Sequence, residues 1–301
     1  MAGNKSTGKP RLRAQLIDLS ARFMHWLPDV GAVDWSTTLA AIWRPGPLGG
    51  GFRSVGQLGS IRLSDLLGID RQKATLAANT QQFVQGLPAN NALLWGARGT
   101  GKSSLIHALL NEHANEGLRL VEIDKQQLSD LPELLHALAS EPYRFVLFCD
   151  DLSFEPTDSS YKAIKSALDG SVFRTVDNAV IYATSNRRHL VPETMTDNQQ
   201  ATMVGDELHP GEAIEEKISL SDRFGLWLSF YPFSQDAYLE VAQHWVGQVA
   251  KANNDKAGRA AWNDEAPAEA LRWALARGVR SGRTAQHFAR DWVGRKLRSG
   301  E

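Results

Sequence analysis

The sequence predicts an α/β fold in which a parallel sheet is interleaved with helices, with an all-α unit after it and a leading segment of different character before it. Three observations carry that reading. Short apolar runs alternate with helical segments from residue 91 onwards, the first of those runs feeds a glycine-rich turn that opens a helix, and no strand pattern survives beyond Pro232. A chain of 301 residues has room for one large α/β unit or two smaller ones that share a core. With 43% apolar and 22% charged residues, its composition excludes a collagenous or wholly disordered chain.

The opening stretch, MAGNKSTGKPRLR, is polar and basic with no apolar stretch behind it, and no run of 18 apolar residues follows anywhere. Neither a secretory signal nor a membrane span is expected, which implies a cytoplasmic protein with no membrane contact. Next, LRAQLIDLSARFMHWL spaces its apolar residues as a helix does, and a Trp-, Pro- and Gly-rich stretch then ends in RPGPLGGG. The glycine run marks a joint, so residues 1–60 are read as a mostly helical N-terminal extension. Its Trp26, Trp35 and Trp43 either grip a partner or pad the core, and padding is the simpler reading.

Residues 61–232 read as the α/β core. The runs ALLW, LRLVEI, YRFVLFC, AVIYATS and LWLSFYPF read as strands, and KSSLIHALLNEHA, LSDLPELLHALAS and YKAIKSALDG as the helices between them. The strands are apolar throughout rather than alternating, as parallel strands covered on both faces must be. Residues 233–301 hold three helical patterns, over 235–250, 267–277 and 283–297, which read as a small helical lid.

Several functions are excluded by what the sequence contains. The one cysteine, Cys149, forms no intrachain bridge, and no Cys/His spacing suits zinc. With 33 Lys+Arg against 34 Asp+Glu, the chain lacks the footprint of an obligate nucleic-acid coater. Locally the balance shifts: residues 193–222 hold eight acidic side chains and one basic, and residues 271–301 hold eight basic and two acidic. Such poles are solvated faces, or else a contact between subunits or a basic surface for nucleic acid.

The chemistry is concentrated in six places. Gly96-Ala97-Arg98-Gly99-Thr100-Gly101-Lys102-Ser103 matches G-x-x-x-x-G-K-[ST] between a strand and a helix, where backbone N–H groups and the helix N-terminus can face phosphates. Lys102 would reach the β and γ phosphates and the Ser103 hydroxyl would coordinate Mg²⁺. The strand YRFVLFC ends in Asp150 and Asp151; Asp150 suits the magnesium and Asp151 the attacking water, with Glu155 as a possible substitute or helper. Asn186, beyond AVIYATS, can donate to a γ-phosphate oxygen while accepting from water. Arg223 and Arg283 each offer the planar fork that suits phosphate. Asn79 and Phe83 precede the cradle at a spacing that suits adenine.

Taken in order, GARGTGKSS (residues Gly96 to Ser104), VLFCDD, Asn186, Arg223 and Arg283 resemble the motifs of an AAA+ ATPase within the P-loop NTPases. LSDLLGID, NTQQFVQGLPANNALLWGARGTGKSS, FCDDLSFE, YATSNRRHLVPE and SLSDRFGLWLSFYPF resemble, over about residues 61–238, a bacterial AAA+ family filed as a domain of unknown function, DUF815. The wider class implies a five-stranded parallel sheet with a helical lid, ATP and magnesium at the subunit edge, and a homo-oligomeric ring in which Arg223 serves the neighbour in trans. It departs from the class at Asp151, where glutamate is usual, which points to slow hydrolysis. The expected function is ATP binding and hydrolysis with Mg²⁺ that drives a conformational change on a protein or nucleic-acid partner. The alternatives are a slow switch or loader acting mainly through ATP binding, and a small-molecule kinase, against which Arg223 counts.

Overall fold

In strand β5 (Arg144–Cys149) all residues after the first are buried, and they alternate between two cores: Phe145, Leu147 and Cys149 enter one, Val146 and Phe148 the other. That two-sided burial is what a continuously apolar strand requires, and it fixes β5 at the centre of a sheet. The chain is described here by a computed structural model covering residues 33–46, 50–56, 58–154, 161–168, 177–187, 190, 202–204, 207–209, 222–255, 258 and 260–299. The helix expected in the N-terminal extension, with Trp26, lies outside the described residues, as do Glu155 and most of the acidic stretch.

The elements run β1 (Ala40–Arg44), β2 (Gly51–Ser54), α1 (Asp70–Val84), β3 (Ala92–Gly96), α2 (Lys102–His113), β4 (Leu118–Glu122), α3 (Leu131–Leu138), β5, α4 (Tyr161–Leu168), β6 (Ala179–Ser185), β7 (Thr202–Val204), β8 (Glu207–His209), β9 (Leu226–Phe230), α5 (Gln235–Ala252), α6 (Ala266–Leu275) and α7 (Gly282–Ser299). Strands β7 and β8 make a separate hairpin. The main sheet has the order β2-β1-β4-β5-β6-β3-β9, parallel except for β2. The expected α/β class is therefore found, with all five expected strands in place, but the sheet has seven strands rather than five.

The two additional strands come from the stretch expected to be a mostly helical extension. Their residues explain why they join the sheet. Ala40 and Ala41 are small enough to pack flush beside β4, and Trp35, Trp43 and Phe52 are buried in an edge-to-face set whose ring centroids lie 5.1 to 5.3 Å apart, Trp35 also meeting Phe145 at 4.9 Å. Trp43 Nε1 finds its partner in Asp130 Oδ2 at 3.1 Å. Of the tryptophans in the extension, Trp35 and Trp43 thus pad the core.

Helix α1 carries the same logic on the other face. Its Leu76 and Phe83 are buried, and Asn79 Nδ2 and Thr80 Oγ1 both meet the buried Tyr182 hydroxyl on β6, at 3.0 and 2.9 Å. The polar atoms that Asn79, Thr80 and Tyr182 take into that core therefore have partners, which is the condition for burying them. The three C-terminal helices pack on one another around Tyr238, Phe288 and Trp292, and join the core through Phe233, whose N–H donates to Arg280 O at 3.2 Å. On α7, Arg295 pairs with Glu269 and Asp291, and Lys296 with Glu265, so part of the basic pole is neutralised within the lid. No helix among the described residues is long and apolar enough to cross a membrane.

Candidate functional site

At the carboxyl end of β3 the chain turns through Gly96 into the loop that opens α2, in the crevice where open α/β sheets bind ligands. Gly96 has φ +129°, and a β-carbon there would lie 2.0 Å from the carbonyl oxygen of Phe230, with which Gly96 is in register on β9. Only glycine permits that approach. Gly99, at φ +74°, faces the lid instead: a β-carbon would lie 2.9 Å from Ser281 Oγ and 3.1 Å from Arg283 Cβ. The Arg283 N–H donates to Gly99 O at 3.2 Å. The N-termini of α2 and α7 thus both meet the loop, and both contribute positive potential there.

Lys102 is buried, and its ammonium donates to the carbonyls of Gly96 and Ala97, each at 2.8 Å, and more weakly to Asn186 Oδ1 at 3.5 Å. Burial holds its pKa below the ordinary lysine value, opposed by the Asp150 and Asp151 carboxylates. Ser103 Oγ donates to Asp150 Oδ1 at 2.7 Å. The Thr184 hydroxyl donates to the same oxygen and accepts the Asp151 N–H at 2.9 Å. Asp151 sits at φ +52°, left-handed and uncommon for a residue other than glycine. Its Oδ1 accepts from Asn186 Nδ2, while its Oδ2 lies 3.9 Å from Arg98 Nη2, a long and exposed ion pair worth little.

These groups line one cavity of about 450 Å³. Its polar part is Arg98, Gly99, Thr100, Gly101, Lys102, Ser103, Ser104, Asp150, Asp151, Thr184, Asn186 and Arg283; its apolar part is Ile61, Leu66, Ile69, Phe233, Val241 and Trp245. A nucleotide has the same division, an anionic end and a flat apolar end. The donor set also fits magnesium, since a hydroxyl and a carboxylate oxygen stand 2.7 Å apart. Among the described residues no group of three His, Cys, Asp or Glu could hold a metal, so such an ion would rely on Ser103, Asp150, phosphate oxygens and water.

Of the residues expected at the site, Gly96 and Ala97 lie behind it and hold Lys102 by their carbonyls, while Arg98 to Ser104, Asp150, Asp151, Asn186 and Arg283 line it. Arg223 does not line it. It precedes β9, whose start pairs Leu226 with Ala92, whereas the loop meets the other end of that strand at Phe230. Asn79 and Phe83 are corrections: both are buried on the inward face of α1, where Asn79 bonds to Asn90 and Tyr182, and neither lines the cavity. Sequence reasoning missed the apolar wall, contributed by residues 61–69 and the lid, and it missed Thr184. The signal for Thr184 was a hydroxyl within the apolar run AVIYATS.

Comparisons with known proteins bear on the fold and the family. RuvB of Thermotoga maritima, a Holliday junction branch migration motor, superposes with a TM-score of 0.50 at 14% identity, covering 80% of this chain and 72% of that one. A variant of the same protein gives 0.52 over the same shares. The replication factor C large subunit of Methanococcus maripaludis is 22% identical over 199 residues, 64% of this chain and 39% of that protein, so the match spans well under half of the curated relative. The fold is the AAA+ α/β fold that RuvB has. The model of the family described as "Protein of unknown function (DUF815)" matches residues 36–296, and the chain belongs to that family.

Proposed function

We propose that the protein binds ATP with Mg²⁺ in this cavity and hydrolyses it, and that the cycle moves the lid to act on a protein or nucleic-acid partner. One observation carries the reading: Lys102, Ser103, Asp150, Asp151, Asn186 and Arg283 converge from the loop, two strands and the lid on a single cavity with an apolar wall. Lys102 binds the β and γ phosphates once its ammonium leaves the Gly96 and Ala97 carbonyls. Ser103 and Asp150 would hold magnesium, which when bound supplies positive charge beside the phosphate oxygens. Asp151 orients the attacking water and takes its proton, and Asn186, already in contact with both Lys102 and Asp151, reports whether a γ-phosphate is present. Arg283 offers its guanidinium from the lid. A cytoplasmic setting suits a chain whose one cysteine is a buried free thiol. Phosphate release by the protein beside Lys102→Ala tests the reading: equal release from both, with no ATP bound by either, ends it.

The same reading makes the protein a homo-oligomer, a ring in which Arg223 serves a neighbouring site. Four residue steps lead from Leu226 to Phe230, about 13 Å at the usual rise, so Arg223 stands at the opposite end of β9 from its own loop. Mixing Arg223→Ala with Lys102→Ala should restore activity, because a mixed assembly holds some sites with both groups intact. No recovery, together with an active protein that sediments as a monomer, refutes the trans arrangement.

A second reading is a slow nucleotide switch or loader. It is favoured by Asp151, one methylene shorter than glutamate and held by both Asn186 and its own left-handed backbone. Turnover that appears only with DNA, RNA or a protein supports it, and fast turnover by the protein alone excludes it.

A further inference from the structure

The Asp150 carboxylate is exposed rather than packed, and its hydrogen bonds direct it. Two hydroxyls donate to the same oxygen, Oδ1, and they differ in kind. Ser103 lies on the phosphate loop, partly exposed, and in the reading above its oxygen is shared with the metal. Thr184 is 2% exposed on an interior strand of the sheet, and its branched side chain has little rotamer freedom. Its one proton goes to Asp150 and a lone pair takes the Asp151 N–H, while its carbonyl accepts the Leu152 N–H at 2.7 Å. Both acidic residues, one of them in left-handed backbone, are therefore pinned to β6 by a single residue.

We infer that Thr184 is the positioning residue for the metal: its hydroxyl holds the Asp150 carboxylate towards magnesium and so sets how much magnesium strengthens nucleotide binding. The inference rests on the proposed Mg·ATP site but assigns a role to a residue outside its motifs. Thr184 touches neither nucleotide nor metal in this scheme. It acts through Asp150, as outer-sphere partners of ligating carboxylates do.

The test measures the affinity of a fluorescent ADP analogue in EDTA and again in saturating Mg²⁺, for wild type, Thr184→Val and Thr184→Ser. Valine keeps the branched shape and removes the hydroxyl; serine keeps the hydroxyl. The magnesium-dependent gain is expected to shrink by about 10-fold or more in Thr184→Val, with affinity in EDTA within about 2-fold of wild type, and to return in Thr184→Ser. Thr184→Ala, which needs no additional room, should show the same loss should the valine variant not fold. A full magnesium gain in Thr184→Val overturns the inference. So does an equal loss in EDTA, which would mark Thr184 as a shaper of the cradle alone, and so does a serine variant as impaired as valine. A wild type that gains nothing from magnesium refutes the Mg·ATP reading itself, a distinguishable result.

Discussion

Gly99→Ala tests whether the lid is read through the phosphate loop. At φ +74° an alanine pays about 1–2 kcal/mol of backbone strain. Its β-carbon would stand 2.9 Å from Ser281 Oγ and 3.1 Å from Arg283 Cβ, where ordinary contact is about 3.5–4.0 Å, so the start of α7 must retreat by about half an ångström. The Arg283 N–H bond to Gly99 O is already 3.2 Å long, and such a retreat breaks it, at about 1 kcal/mol. With the steric clash added, total destabilisation should be about 2–4 kcal/mol. The strain is present whether or not the lid is docked, so only the steric and hydrogen-bond part, about 1–2 kcal/mol, bears on nucleotide binding, a loss of roughly 5- to 30-fold. Gly86→Ala is the control. Its φ is +78° and its β-carbon would meet only the guanidinium end of Arg144, away from the cavity, so it should cost stability and leave nucleotide affinity unchanged. Urea unfolding and titration with a fluorescent nucleotide give the two numbers. Wild-type affinity in Gly99→Ala, or an equal affinity loss in Gly86→Ala, refutes the coupling.

Other outcomes follow from the same geometry. Lys102→Met should weaken nucleotide binding by roughly 100-fold, about 3 kcal/mol, measured by the same titration. Because burial lowers the folded-state pKa of Lys102, the unfolded chain binds more protons in the window below 10.5, and stability from this group rises as pH climbs through it. The stability difference between Lys102→Met and wild type should therefore drift in the wild type's favour towards pH 10.5; a constant difference in urea titrations counts against a desolvated lysine. Cys149, buried at the end of β5, has its thiol pushed up to about 12 by burial first and nearby carboxylates second. Iodoacetamide at neutral pH should leave it unmodified in the folded protein and label it in urea; labelling in both at one rate contradicts the packed strand end.

Legibility in the sequence followed how local the physical cause was. The loop from Gly96 to Ser103 and the acidic pair were readable because each is a contiguous run whose backbone demands, a tight turn and a strand end, show in residue type. The five expected strands were readable for a related reason, since two-sided burial leaves a continuous apolar run. Strands β1 and β2 were not, because AAIWR and GFRS are short and flanked by Trp, Pro and Gly, and what makes them strands is tertiary: Arg119 Nε donating to Trp35 O at 2.7 Å, and Phe52 meeting two tryptophans edge-to-face. The base-binding guess failed for the same kind of reason. Asn79 and Phe83 lie close to the cradle in sequence, but the helical period turns them inwards, towards Tyr182 and the sheet. The apolar wall that does line the cavity brings together residues about 180 positions apart, Ile61 and Val241 among them, and no local pattern reports such a meeting.

The resting contacts also bear on what nucleotide entry must change. Lys102, Asn186, Asp151 and Arg98 form a chain of contacts that runs from a buried ammonium to an exposed ion pair. Its links differ in strength. The Lys102 bonds to Gly96 and Ala97 are short and buried, whereas the Lys102–Asn186 contact at 3.5 Å and the Arg98–Asp151 pair at 3.9 Å are long. An arriving phosphate offers the two cations a stronger acceptor and competes first where the contacts are weakest. Asn186 and Arg98 would then be drawn away from Asp151, freeing that carboxylate for water only when the outermost phosphate is present. Thr184 keeps Asp150 and the Asp151 backbone in place throughout, since none of its bonds involves Lys102, Arg98 or the Asn186 side chain. The anchored half of the acidic pair and the released half would thus be separated by a single side chain on β6.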